Sequence, residues 1–235
     1  MTVGMVLLVG CVLAGGMAGA LIPSWIARLP EPDLPDGETK VPYTQLAAWP
    51  HLHLVAILCT AFGATFLVWR LGLDPALPAV LYTVVVGVLV SYVDIRVKLI
   101  PNAIVLPSYP VVAVLLLVAA LASGRWDRLL WAALGGAALW GFFALLELIY
   151  PAGLGFGDVK LAGLLGLTLG WYALAHLVVA TFGAFVLGGL TSLVLMAAKR
   201  AGRKTAIPFG PFLVGGWFVA LLAAGELARW YLSYR

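Results

Sequence analysis

"AIVLPSYPVVAVLLLVAALA", residues 103–122, carries no charged side chain. A helix rises about 1.5 Å per residue, so a run of about 20 apolar residues reaches across the hydrocarbon layer of a bilayer. Outward from this stretch the same character repeats. Apolar runs fall at roughly residues 3–22, 53–69, 77–93, 129–149, 174–198 and 208–228, with a shorter one at roughly 159–171. The alternation that marks a membrane barrel is absent, so the spans are predicted to be helices. Composition agrees with this reading: 63% of the 235 residues are hydrophobic and 10% are charged, too little polar surface to clothe a water-soluble domain. The expected fold is all-α, a polytopic membrane helix bundle of about eight transmembrane helices.

The charges orient the bundle. No Lys or Arg precedes Arg28, so the first cation follows the first apolar run, and the positive-inside rule predicts an outside N-terminus with residues 23–52 in the cytoplasm. "LVGC" at 8–11 and "GMAGA" at 16–20 imitate processing sites, but a signal peptide needs a positive leading region. Threading the chain through eight spans then puts Arg28, Lys40, Arg96, Lys98, Lys160, Lys199, Arg200, Arg203 and Lys204 on the cytoplasmic side. Arg70, Arg125, Arg128, Arg229 and Arg235 fall outside. The net charge of +4 therefore reports topology, and its dispersal over several loops argues against a nucleic-acid partner. The partner these features require is the lipid bilayer.

Cys11 and Cys59 both sit inside apolar runs with no metal-ligand residues beside them, which predicts neither a disulfide framework nor a thiolate metal site. His51 and His53 read as an interfacial pair. Most tryptophans, including Trp25, Trp49, Trp69, Trp126, Trp131, Trp171 and Trp230, fall near predicted span ends, where an amphipathic ring prefers to sit; Trp140 and Trp217 lie deeper and read as packing residues. Residues 28–50 form the one substantial polar stretch, rich in proline and carrying Glu31, Asp33, Asp36 and Glu38. It reads as an irregular connector, with an acidic rim for a basic peptide as the functional alternative.

An ionisable group at membrane depth is costly, so the acids within or beside the spans are candidates for function: Asp94, Glu147, Asp158 and Glu226. The two glutamates, near span ends and without glycine or proline context, read as structural. Asp94 stands in "SYVDIRVKLIPN" at the cytoplasmic end of a span, just before the break at Ile100, Pro101 and Asn102. Asp158 stands in "GLGFGDVK" at the same predicted membrane level. Two carboxylates held together can share one proton, one acting as base and the other as acid, which is what hydrolysis of a peptide by aspartates requires. Each also has a structural reading: Asp158 as a helix N-cap, Asp94 as a partner of Arg96 or Lys98.

Three segments carry a family resemblance. "DIRVKLIPN" at 94–102, "GLGFGDVKLAGLLG" at 153–166 and "AIPFGPFLVGG" at 206–216, in that order, resemble the motifs of the type IV prepilin peptidases and archaeal preflagellin peptidases, membrane aspartyl proteases of the G-x-G-D class. The resemblance divides the chain into a reduced N-terminal region, residues 1–75, and a peptidase core, residues 76–235. It implies that Asp94 and Asp158 are the catalytic pair, that Gly155 and Gly157 shape the turn presenting Asp158, and that Lys160, Pro101 and Asn102 lie at the site. The implied substrates are prepilins or pseudopilins, cut after a glycine that ends a short basic leader. The implied location is the plasma membrane of a prokaryote, crossed many times, with the active site facing the cytoplasm.

The bifunctional, methylating members carry paired C-x-x-C motifs in a longer first cytoplasmic loop; here that loop is about 30 residues and has no cysteine. The expectation is therefore a peptidase without metal or cofactor, with methyl transfer left open. Three other readings stay in play. A presenilin or signal-peptide-peptidase type enzyme also uses G-x-G-D, and Tyr92 precedes Asp94, but "PAL" occurs only at 75–77, far too early. Membrane acids beside glycine-broken helices also build ion-coupled transporters. A scaffold retaining the aspartates as caps is the third.

Overall fold

The computed structural model describes residues 3–31, 40–151, 153–199 and 207–232. Within these the chain forms nine helices and no strand: α1 (Val3–Ala27), α2 (Tyr43–Ala47), α3 (Leu52–Leu71), α4 (Leu77–Val97), α5 (Asn102–Ser123), α6 (Trp126–Ile149), α7 (Phe156–Tyr172), α8 (Leu174–Ala197) and α9 (Gly210–Leu232). Seven of them, α1, α3, α4, α5, α6, α8 and α9, are long and apolar enough to cross a membrane. The chain is thus a multi-pass helical bundle, as its apolar runs predict. α7 is the short eighth, at 17 residues spanning roughly 25 Å. It can be short because it is interior: most residues from Asp158 to Trp171 are buried.

The breaks between helices follow local chemistry. Gly72 and Gly124 end α3 and α5 with φ of 63° and 71°, a left-handed conformation that costs glycine nothing. Pro101 cannot continue a helix and instead heads α5, with a ψ of 118°. Lys98 ends α4 in the left-handed region, its amide donating to the Asp94 carbonyl at 2.8 Å.

Helix pairing rests on small residues. Lipid tails are as apolar as leucine, so helices in a bilayer associate through close contact and cross-helix hydrogen bonds. α6 and α7 meet at Gly135, Gly136, Gly163, Gly166 and Gly170; a Cβ added at Gly135 would stand 2.7 Å from the Gly166 carbonyl oxygen. α1 meets α3 the same way, with the Thr60 hydroxyl donating to the Gly15 carbonyl at 2.7 Å. α4 sits centrally, packed against α1, α3, α5, α7 and α9.

The end of the bundle opposite the two aspartates is tied by polar contacts. Arg70 Nε donates to the Leu222 carbonyl at 2.8 Å and its Nη2 pairs with Glu226 at 3.2 Å, which agrees with a structural role for Glu226. Arg128 Nη1 donates to the last carbonyls of α7, Trp171 at 2.9 Å and Tyr172 at 2.6 Å. Trp171 departs from the expectation of an interfacial belt: it is fully buried, because α7 is an inner helix. Trp140, read as a packing residue, is 43% exposed, whereas Trp217 is buried as expected and its Nε1 donates to Thr168 Oγ1 at 2.8 Å. Thr168→Val keeps the shape but strips this buried donor of its acceptor. The expected loss is about 1–2 kcal/mol, read as a lowered thermal midpoint in detergent.

Candidate active site

The end of the bundle that carries the aspartates brings together the C-terminus of α4 and the N-termini of α5, α7 and α9. Asp94 lies in the last turn of α4 and is 4% exposed. Its Oδ2 accepts a hydrogen bond from the backbone N–H of Gly210, the first residue of α9, at 2.9 Å. The readings that paired Asp94 with Arg96 or Lys98 are not what is found. The Arg96 guanidinium lies over the Trp49 ring, 4.6 Å from its centroid, and no ion pair to Asp94 occurs among the described residues. Tyr92 likewise turns to α2, its hydroxyl donating to the Leu46 carbonyl at 2.9 Å.

Asp158 is the third residue of α7, so it is not the N-cap. Gly155 takes that position with extended backbone, and since glycine has no side chain the cap comes from further along: Asp158 Oδ2 reaches back to accept the Gly155 N–H at 3.1 Å. Asp158 Oδ1 is buried and has no hydrogen-bond partner among the described residues. An ionised oxygen in that state is expensive, so this atom is where a proton, a water or a substrate group belongs.

Ile100 lies between the N-termini of α7 and α9. Its side chain fills the space left by the missing Cβ of Gly157, which would stand 2.8 Å from Ile100 Cβ, and it also meets Gly210, whose Cβ would stand 3.3 Å from Ile100 Cδ1. Asp94 Oδ2 and Ile100 thus flank the same glycine, Gly210, while Ile100 also abuts Gly157, the residue before Asp158. The two glycines of the turn therefore differ. Gly157 admits Ile100, whereas a Cβ on Gly155 would come no closer than an ordinary 3.6 Å to any atom, Asp158 Oδ2 being the nearest.

The remaining expected residues lie at the same end. Lys160 Nζ donates to Asn102 Oδ1 at 2.9 Å and stands 4.7 Å from the centroid of the Phe156 ring. Pro101, buried, precedes Asn102 at the head of α5. Tyr109, which no sequence signal singles out, donates its hydroxyl to the Lys160 carbonyl at 2.7 Å and so fastens α5 to the first turns of α7. Glu31 accepts the Tyr43 backbone N–H at 2.8 Å. Asp33, Asp36 and Glu38, like Arg200, Arg203 and Lys204, lie outside the described residues. Among the described residues no three His, Cys, Asp or Glu side chains gather as a metal site would need.

An apolar groove of about 430 Å³ opens beside this end, between α3, α4 and α9. It starts at Tyr92, Ile95 and Pro211, next to Gly210, and runs toward Phe62 and Gly63.

Two buried carboxylates at one end of the bundle, each held by a backbone amide and, among the described residues, by no cation, can divide acid and base roles between them. Comparison with known proteins points the same way. Residues 80–193 match the type IV leader peptidase family. The chain is 30% identical over 183 residues to a prepilin leader peptidase/N-methyltransferase of Stutzerimonas stutzeri, covering 77% of this chain and 61% of that protein. It is 30% identical over 182 residues to the protein of the same description in Pseudomonas aeruginosa (75% and 60% covered), and 31% identical over 165 residues to that of Bacillus subtilis (70% and 63%). The chain thus spans about three-fifths of the length of these relatives. No solved structure matches. The Asp94 and Asp158 motifs both lie inside residues 80–193, the segment that is similar to the type IV leader peptidase family.

Proposed function

We propose that the protein is a membrane aspartyl endopeptidase that removes the short basic leader from prepilin-like proteins, cutting after a glycine at the cytoplasmic face of a prokaryotic plasma membrane. The observation that carries this reading is the buried pair itself: Asp94 and Asp158 at one end of the bundle, with Asp158 Oδ1 lacking a partner among the described residues. In this reading the pair binds a water, one carboxylate takes its proton as the oxygen attacks the scissile carbonyl, and the protonated partner hydrogen-bonds the carbonyl oxygen. Gly155, without a side chain, lets an extended backbone approach. Lys160, Asn102 and Pro101 shape the adjoining wall. The groove beginning at Pro211 suits the hydrophobic segment that follows the cut bond. No step uses a metal or cofactor.

Membranes containing the protein, incubated with a prepilin, should yield the shortened pilin and the free leader. Absence of cleavage, combined with an ion flux that depends on Asp158, would instead favour a transporter.

The acidic segment gives a separable expectation. Neutralising Glu31, Asp33, Asp36 and Glu38 together should raise KM for a basic leader and flatten its salt dependence, because exposed charges are screened over about 8 Å at physiological ionic strength. An unchanged KM returns the segment to a plain connector.

A further inference from the structure

Resting on the peptidase reading, we propose that the Gly210 amide is a positioning group that keeps Asp94 ionised, so that Asp94 takes the proton of the attacking water and Asp158 Oδ1 supplies the proton to the scissile carbonyl.

Gly210 is far from both aspartates in sequence, yet its N–H is buried against Asp94 Oδ2 at 2.9 Å. It is also one of the unpaired amides at the start of α9, where the helix dipole favours negative charge. A donor of this kind lowers the energy of a carboxylate more than that of a carboxylic acid. Asp158 has an amide donor too, Gly155 at the longer 3.1 Å, but its Oδ1 is buried and, among the described residues, bare. Protonated, that oxygen becomes a donor whose acceptor arrives with the substrate. Among the described residues no ion pair to either aspartate offsets this asymmetry: Arg96 lies over Trp49 and Tyr92, and Lys160 is held by Asn102 and the Phe156 ring. The geometry at Gly210 is exacting, since a Cβ there would stand 2.8 Å from Asp94 Oδ2.

The reaction balances with water as the only co-reactant. Water oxygen bonds to the carbonyl carbon, Asp94 gains the water proton, and Asp158 gives its proton to the carbonyl oxygen. On collapse Asp94 passes its proton to the leaving amide nitrogen as the C–N bond breaks, and Asp158 recovers the proton from the diol.

The test is the pH profile of kcat/KM for prepilin cleavage by Gly210→Ala, with Gly141→Ala, where a Cβ meets nothing within 4 Å, as the control. Displacing the Asp94 carboxylate from the amide weakens a charge-assisted hydrogen bond, so the base needs a higher pH to ionise. The acid limb should move up by about one pH unit in Gly210→Ala and not in Gly141→Ala. If both limbs stay in place, or the alkaline limb alone moves, the assignment is overturned. Should Gly210→Ala prove inactive, the shift of the Gly210 amide resonance in the ¹⁵N-glycine-labelled wild-type protein decides. A titration of that resonance that Asp158→Asn retains and Asp94→Asn abolishes supports the assignment, and any other pattern overturns it. The amide titration needs no cleavage, so it is separable from the test of the peptidase reading itself, which is whether wild type cleaves and the two aspartate variants do not.

Discussion

Asp94→Asn and Asp158→Asn, made singly, are each expected to lower prepilin cleavage by at least about 10³-fold while leaving the thermal midpoint in detergent nearly unchanged. The contrast follows from what each oxygen touches. The amide oxygen introduced by Asp94→Asn could still accept the Gly210 N–H, and that introduced by Asp158→Asn the Gly155 N–H, so the helix-terminal hydrogen bonds that the carboxylates now make survive the exchange. What asparagine cannot do is exchange protons with water and a carbonyl. The substitution therefore separates two roles that a change to alanine would confuse. Near-normal cleavage by both variants would leave the aspartates as caps and nothing more. Because the pair acts as a unit, the double variant should be little worse than either single one.

Gly166→Val is expected to cost more than about 3 kcal/mol of stability, or to prevent the α6 and α7 pair from forming at all. A Cβ on Gly166 would stand 2.5 Å from the Gly135 carbonyl oxygen and 3.0 Å from Gly136 Cα, both backbone atoms that no rotamer change can move aside. Gly141→Val on the same α6, where a Cβ meets nothing within 4 Å, should be nearly silent. Any fraction of Gly166→Val that folds should still lose activity. α7 carries Asp158 two turns before Gly166, and a displacement of about 1 Å at a reacting group can cost about 100-fold in rate. Equal stability of the two variants, by thermal unfolding or resistance to proteolysis, would show that the glycine contact does not hold the helices together.

Much of this architecture is legible in the chain. The apolar runs locate the seven helices long and apolar enough to cross a membrane, and the breaks fall at helix boundaries, Gly72 and Gly124 at C-caps and Pro101 and Gly155 at N-caps, because both signals are local. The shared level of Asp94 and Asp158 follows from counting spans between them. What is not legible depends on contacts across the bundle. Asp158 looks like an N-cap because it follows a glycine turn, and only the helix start at Phe156 shows that it is N3, reaching back to Gly155. Trp171 looks interfacial by position along its run, and becomes core because α7 lies inside a ring of other helices. "PFGP" is visible as a motif, but the hydrogen bond from Gly210 to Asp94 joins residues too far apart for any periodicity to reveal. Ile100 is the same kind of case: an ordinary residue before a proline, which the fold places against two glycines at once.

The most direct test of the account is the mass of a purified prepilin before and after incubation with the protein reconstituted in liposomes. The account predicts two products whose masses sum to the substrate plus one water, with the cut immediately after the glycine that closes the leader, and an intact prepilin when Asp94→Asn or Asp158→Asn replaces wild type. An intact prepilin with the wild-type protein, or the same two products from either variant, would contradict it.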